Sequence, residues 1–104
     1  MNVSLLVLGS GTSQGVPAIG CDCETCTSSD ARDTRLRPSV LIETDGVRLL
    51  IDTSSDFRAQ MLRHNIRRID AVLYTHAHFD HIGGFDDLRQ YNFLQNAPMR
   101  VYSA

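Results

Sequence analysis

The 104-residue sequence has no apolar run near the roughly 20 residues that a membrane-spanning helix requires. No lysine or arginine precedes the apolar segment at residues 3–8, and Gly9-Ser10-Gly11 ends it too early for the core of a secretory signal peptide. These absences predict a cytoplasmic protein with no membrane partner.

An excess of one charge is also missing. Ten Lys+Arg against 12 Asp+Glu give a formal net charge of −2, which argues against a protein held to nucleic acid by a clustered basic surface. A small phosphorylated substrate, held by a few groups, stays open. With 42% hydrophobic and 21% charged residues, the chain fits one soluble globular domain over residues 1–104 and excludes collagen-like and strongly disordered classes.

The cysteines do not have the even number and wide spacing of a disulfide framework, because Cys21, Cys23 and Cys26 lie within one short segment. Three soft thiolates at this spacing suit a tetrahedral structural zinc ion, although three ligands do not close its shell. Metal binding is therefore the first interpretation, and three reduced thiols without a role are the alternative.

The pattern of apolar residues predicts an α/β protein with the order β-ββ-α-β-α-β. The first strand, at residues 3–8, and the fourth, at residues 71–75, are apolar enough to be buried. Asp45-Gly46 between two β-branched runs predicts a hairpin. The other expected elements are strands at residues 39–44, 47–51 and 99–102 and helices at residues 57–64, with Leu62 on the buried face, and 82–94.

Three of the four histidines fall in one short segment that follows the fourth strand. His76 and His78 are two residues apart, so an extended backbone points both rings to the same side. Asp80 and His81 follow where the chain turns into a helix, and they can aim at a second point nearby. One loop thus offers two pairs of ligands, as a dinuclear metal site requires; a polar loop that caps a helix is the alternative.

The segment from Thr75 to Gly84 resembles the HxHxDH signature of the metallo-β-lactamase fold superfamily, and Leu50-Ile51-Asp52 resembles that family's earlier strand ending in Asp. Gly11-Thr12-Ser13-Gln14-Gly15-Val16-Pro17 and the cysteine loop resemble its phosphodiesterase branch, which includes ribonuclease Z-like enzymes and phosphoribosyl cyclic phosphate phosphodiesterases. The implied fold is the N-terminal half of a four-layer αββα sandwich, a mixed sheet with two helices.

The resemblance implies two divalent ions, zinc or manganese. His76 and His78 would ligate one ion and Asp80 and His81 the other, while Asp52 would orient a ligand or its water. A metal-bridging hydroxide would attack a small or cyclic phosphodiester, and Asp80 would assist proton transfer. One structural zinc ion would bind the cysteine loop, with a fourth ligand from the family's C-terminal part.

The family completes its site with a later His, a bridging Asp and a final His, and no His follows His81 here. We therefore expect an N-terminal half that binds metal weakly and is inactive alone. The alternatives are a non-catalytic zinc-binding or interaction module and a thioester or lactam hydrolase of the same fold. A half-sandwich should also expose an apolar face, which makes a second copy of the chain an expected partner.

Overall fold

A computed structural model describes residues 2–103, so Met1 and Ala104, the ends of the expected domain, lie outside the described residues. No helix within residues 2–103 combines the length and apolar character needed to traverse a bilayer. The chain is an α/β protein, as predicted. Its strands are β1 (Val3–Gly9), β2 (Ser39–Thr44), β3 (Val47–Ile51), β4 (Ala71–Tyr74) and β5 (Arg100–Ser103), and its helices are α1 (Phe57–Arg63), α2 (Phe79–Ile82) and α3 (Leu88–Gln95).

The five strands form one mixed sheet in the order β1-β2-β3-β4-β5. β1, β2 and β3 pair antiparallel, whereas β3, β4 and β5 pair parallel. The carboxyl ends of β1, β3, β4 and β5 consequently meet at one edge of the sheet. In open α/β sheets ligands bind beyond this edge.

The predicted hairpin is confirmed. β2 and β3 pair from Thr44 opposite Val47, and the two residues between them have positive φ, 49° at Asp45 and 81° at Gly46. These angles are those of the type I′ turn, whose twist matches that of the flanking strands. The turn therefore fixes the register of the two central strands.

The hydrophobic core lies between one face of the sheet and the helices α1 and α3. Leu50 and Val72 are fully buried there and pack in one cluster with Phe57 of α1 and Tyr91 of α3. The Phe57 and Tyr91 rings meet edge to face with centroids 6.0 Å apart, a favourable arrangement for aromatic pairs. The Tyr91 hydroxyl donates to the Ile66 carbonyl at 2.7 Å, so its polar atom is satisfied inside the core.

The prediction that β1 is a buried strand is wrong. Val3, Leu5 and Val7 are 62%, 61% and 52% exposed, and within the strand only Leu8 is buried. β1 is an edge strand, and these alternate residues point to the face of the sheet opposite the helices. The expectation that β4 is buried is wrong for one of its faces: Val72 is buried, whereas the other residues of the strand are partly exposed. The apolar outer face is the surface on which the expectation of a second copy rests.

The helix predicted at residues 82–94 is present in three pieces. α2 already begins at Phe79, a 3₁₀ turn spans Phe85–Asp87, and α3 follows. The interruption lies at Gly83-Gly84, where the backbone packs against α1. A Cβ at Gly84 would lie 2.3 Å from the Cβ of Phe57, a separation that no side chain tolerates. Glycine at position 84 lets the segment between α2 and α3 approach the start of α1.

One detail of α1 also differs from the prediction. Phe57, Met61 and Ile66 are buried as expected, but Leu62 is 63% exposed. Leu62 follows Met61 directly, and one residue corresponds to about 100° of rotation around a helix of 3.6 residues per turn. The buried face of this short helix is too narrow to include both side chains.

Candidate metal centres

The histidine segment leaves the sheet directly beside the end of the neighbouring strand. β3 and β4 are parallel neighbours with Ile51 opposite Leu73, and the Asp52 amide continues the ladder by donating to the Leu73 carbonyl at 2.8 Å. Asp52 follows β3, and Thr75 and His76 follow β4. The strand register therefore brings the two segments with candidate ligands together at the carboxyl edge.

Asp52 holds three donors from the histidine segment. Its carboxylate accepts from the Thr75 amide at 2.8 Å, from the Thr75 hydroxyl at 2.7 Å and from Nδ1 of His81 at 2.7 Å. Asp52 is 4% exposed and has a left-handed backbone with φ of 63°. Such a conformation is uncommon outside glycine and clusters at functional sites. Asp52 thus ties the two segments together and fixes the orientation of the His81 ring.

The predicted ligands lie close to one another at this edge. The ring centroids of His76 and His78 are 4.6 Å apart, and those of His76 and His81 are 4.0 Å apart. Nε2 of His81 lies 3.2 Å from a carboxylate oxygen of Asp80. His81 and Asp80 are partly buried, whereas His76 and His78 are exposed. The segment gathers the four side chains around one small region beyond the sheet.

The cysteines form a tighter group than the histidines. The Sγ atoms of Cys21, Cys23 and Cys26 all lie within 4.8 Å of one another, and all three thiols are free. Of all residues from 2 to 103, these are the only ones whose ligand atoms meet that spacing in a group of three or more. The ligand atoms of the histidine segment do not meet it as a set, so that region is less closely assembled than the cysteine loop.

Backbone amides surround the thiols. The Cys26 amide donates to Sγ of Cys23 and the Ala18 amide donates to Sγ of Cys26, each at 3.4 Å. The pKa of Cys23 is lowered to about 7, first by the amide of Cys26 and then by hydrogen bonding with Cys21 and Cys26. Thiolate is the form that binds metal. Three adjacent sulfur atoms, one of them readily deprotonated, fit a thiolate-ligated ion such as zinc.

The loop that carries the cysteines is fastened to α1 by a buried glutamine. The Gln60 side chain is fully buried, donates to the Arg37 carbonyl at 2.8 Å and accepts from the Ser54 hydroxyl at 2.8 Å. Arg37 also forms an ion pair with Asp56 at 3.0 Å and donates to the Ser13 carbonyl at 3.1 Å. Both ends of the long loop are thereby anchored near the carboxyl edge.

One residue of this edge is absent from the ligands predicted by sequence. Thr75 contacts Asp52 through both its amide and its hydroxyl, and the hydroxyl lies 2.9 Å from Nδ1 of His76. Its position directly before the His-x-His pair is the signal that could have identified it. Spacing alone shows neither hydrogen bond to Asp52, because both depend on how β3 and β4 pair.

Comparisons with known proteins place this geometry in a family. A family model described as the beta-lactamase superfamily domain matches residues 47–104. The chain is 60% identical over 85 residues to the octanoyltransferase of Porphyromonas gingivalis, covering 81% of this chain and 17% of that protein. It is 37% identical over 112 residues to coenzyme PQQ synthesis protein B of Methylobacterium nodulans, covering 94% of this chain and 36% of that protein.

Two crystal structures share the fold. A diphosphatase from the PhnP family aligns with a TM-score of 0.90 and 54% identity over 98% of this chain and 41% of that one. Zn(2+)-bound PqqB from Methylobacterium extorquens aligns with a TM-score of 0.70 and 23% identity over 96% of this chain and 45% of that one. The chain thus spans less than half the length of each of these four proteins.

Proposed function

Since the family model covers more than half of the chain, the chain belongs to the metallo-β-lactamase fold superfamily, and from this premise we propose that it is the metal-binding part of a hydrolase that cleaves small or cyclic phosphodiesters. The observation that carries the proposal is the junction at Asp52. Its carboxylate takes hydrogen bonds from Thr75 and from Nδ1 of His81. This leaves Nε2 of His81, beside Asp80, as the ring nitrogen available to a metal ion.

In this proposal each of the candidate residues has a separate role in holding the metal ions. His76 and His78 would hold one divalent ion, and Asp80 and His81 the other. Asp52 would keep His81 in one tautomer and one orientation, as carboxylates behind metal-ligating histidines do. Asp80 would also assist proton transfer. When bound, a pair of zinc or manganese ions supplies Lewis acidity that activates water and neutralises charge on a phosphoryl group.

A phosphorus-containing substrate is favoured by the closeness of one relative. The diphosphatase shares 54% identity and a TM-score of 0.90 over 98% of this chain, whereas the PQQ synthesis protein of Methylobacterium nodulans is 37% identical. The octanoyltransferase is 60% identical, but the match covers 17% of that protein. The chain's near-neutral charge agrees with this choice, because a site that holds phosphate through metal ions does not need a basic surface.

We infer that the cysteine loop holds a structural zinc ion. The grouping of the three Sγ atoms within 4.8 Å of one another and the N–H···S bonds from Ala18 and Cys26 support this role. A fourth ligand would complete the tetrahedral shell. Because the loop's ends are anchored to α1 through Arg37 and Gln60, an ion here would stiffen the rim of the carboxyl edge.

The proposal is tested by metal content and hydrolysis together. We expect zinc to bind at the cysteine loop and zinc or manganese at the histidine segment, and the natural protein that contains this chain to hydrolyse bis-p-nitrophenyl phosphate. His76→Ala combined with His78→Ala should remove metal from the histidine segment and abolish hydrolysis. His64→Ala is the matched control, since His64 caps the end of α1 and belongs to neither candidate centre.

Two outcomes would overturn the proposal. Metal bound at the cysteines alone, with the ester intact, would identify a non-catalytic zinc-binding module. Cleavage of a thioester or a lactam in place of the phosphodiester would identify another hydrolase of the same fold. Pairing of two copies through the apolar sheet face is a separate prediction, which sedimentation of the purified chain measures.

A further inference from the structure

We propose that Thr75 is a positioning residue through which Asp52 sets the protonated ring nitrogen of His76 as well as that of His81. The inference concerns the residues behind the candidate ligands, and its relevance to catalysis rests on the proposed function. It would make one carboxylate the common support of both metal ions proposed for the histidine segment.

The geometry forms an unbroken chain of hydrogen bonds. Nδ1 of His76 lies 2.9 Å from the Thr75 hydroxyl, and that hydroxyl lies 2.7 Å from Oδ2 of Asp52. Nδ1 of His81 lies 2.7 Å from the same Oδ2 atom. The Thr75 amide donates to the other carboxylate oxygen at 2.8 Å, which holds the threonine in place through its backbone.

The direction of each hydrogen bond follows from the chemistry of the groups. A carboxylate has no hydrogen to give, so Asp52 accepts from all of its partners. The Thr75 hydroxyl has one hydrogen, and Asp52 receives it. The hydroxyl can therefore only accept from His76, which requires a hydrogen on Nδ1 of that ring. His81 likewise carries its hydrogen on Nδ1, where it faces Asp52.

The consequence is that both rings leave Nε2 unprotonated when the imidazoles are neutral. A metal ion binds the unprotonated nitrogen, and the partner of the other nitrogen decides which one that is. In the proposed function His76 would ligate one ion of the histidine segment and His81 the other. Asp52 would select the nitrogen of His81 directly and that of His76 through Thr75.

The tautomers can be measured without any metal. In the chain labelled with ¹⁵N-histidine, two-bond ¹⁵N–¹H correlation spectra at about pH 8.5, well above the ordinary imidazole pKa of ~6.5, show which nitrogen carries the hydrogen. Signals are assigned with His76→Ala and His81→Ala. We expect the Nδ1–H form at both residues in the unmodified chain. The Nε2–H form at His76 in that spectrum would overturn the proposal without any variant having to fold.

The hydroxyl is tested by a matched set of variants. Thr75→Val keeps the shape and the amide bond but removes the hydroxyl, so His76 should lose its preference for Nδ1–H while His81 keeps it. Thr75→Ser should restore the preference. Thr53→Val is the control, because Thr53 directly follows Asp52 and its hydroxyl bonds that of Tyr74, the residue before Thr75, at 2.6 Å. An unchanged His76 tautomer in Thr75→Val would overturn the inference.

Metal binding separates this inference from the proposed function. Chelator competition should show zinc affinity at the histidine segment reduced roughly tenfold by Thr75→Val, within the 10–100-fold range typical of residues behind metal ligands, and restored by Thr75→Ser. If the unmodified chain shows both Nδ1–H tautomers but binds no metal at this segment, the proposed function fails and the positioning role of Thr75 stands.

Discussion

The two candidate metal centres of this chain are assembled in different ways. The cysteine centre takes its three thiol ligands from one short loop, and the amides that bond its sulfur atoms come from the same loop. The histidine centre depends on Asp52 after β3 and on Thr75 and His81 after β4. The first is a local structure, whereas the second exists only if the two strands pair in the observed register. Changes to the loop and changes to the sheet should therefore affect different centres.

The sharpest way to test this independence is to remove a thiolate. Cys23→Ser should weaken metal binding at the cysteine centre about 100-fold. A structural zinc site gains about 10–16 kcal/mol in total from its ligands, and the loss of one thiolate removes that ligand's share of this free energy. The histidine centre should keep its affinity. Titration with Co²⁺ measures the first effect through the thiolate-to-cobalt charge-transfer band. An equal loss at both centres would mean that the loop supports the sheet edge.

The converse change is Asp52→Asn. Its amide NH₂ would face either the Thr75 amide or both the Thr75 hydroxyl and Nδ1–H of His81, so donors would oppose donors. We expect zinc affinity at the histidine centre to fall roughly 10–100-fold and cobalt binding at the cysteines to stay unchanged. Chelator competition in a background with all three cysteines replaced by serine isolates the histidine centre. Asp86→Asn, on an exposed carboxylate, is the control that should have no effect.

Glycine substitutions extend the comparison to packing. Gly84→Ala would force a Cβ against Phe57 and the Ser54 carbonyl, and overpacking of this kind costs about 1–3 kcal/mol. Gly20→Ala meets no atom within 4 Å, and its cost, about 1 kcal/mol, comes from the left-handed backbone with φ of 78°. Urea denaturation measures both. Gly20→Ala should also perturb the cysteine centre. A greater loss of folding stability in Gly20→Ala than in Gly84→Ala would contradict the packing account.

The smallest expected effect is in thiol reactivity. The pKa of Cys23 is lowered to about 7, about two units below its ordinary value. The thiolate fraction of Cys23 therefore rises as the pH increases through 7. Lower basicity also reduces nucleophilicity, so alkylation of Cys23 at pH 7 should exceed that of an ordinary cysteine only about fivefold. Mass spectrometry of the chelator-treated chain after iodoacetamide measures it. Alkylation of Cys26 first would be incompatible with this expectation.

The parts of the structure that local chemistry determines could be predicted from sequence. Asp45-Gly46 specified the hairpin because few other dipeptides adopt two positive φ angles readily, and the cysteine cluster follows from its spacing. The exposure of Val3, Leu5 and Val7 could not be predicted, because an apolar strand has the same sequence at a sheet edge as in its centre. The two hydrogen bonds between Thr75 and Asp52 could not be predicted from sequence for a related reason, since they require the pairing of Ile51 with Leu73.

The position of β3 in the middle of the sheet has a consequence for the timescale of motion at the histidine centre. Its amides are enclosed by β2 on one side and β4 on the other, so they should exchange their hydrogens with solvent through the rare openings that unfold the whole sheet. Amides of the edge strands β1 and β5 are released by fraying alone. The Asp52 amide donates to the Leu73 carbonyl, so it should exchange as slowly as the amides of β3. The hydrogen bonds by which Asp52 holds the histidine segment should therefore persist through the frequent motions that open the edge strands.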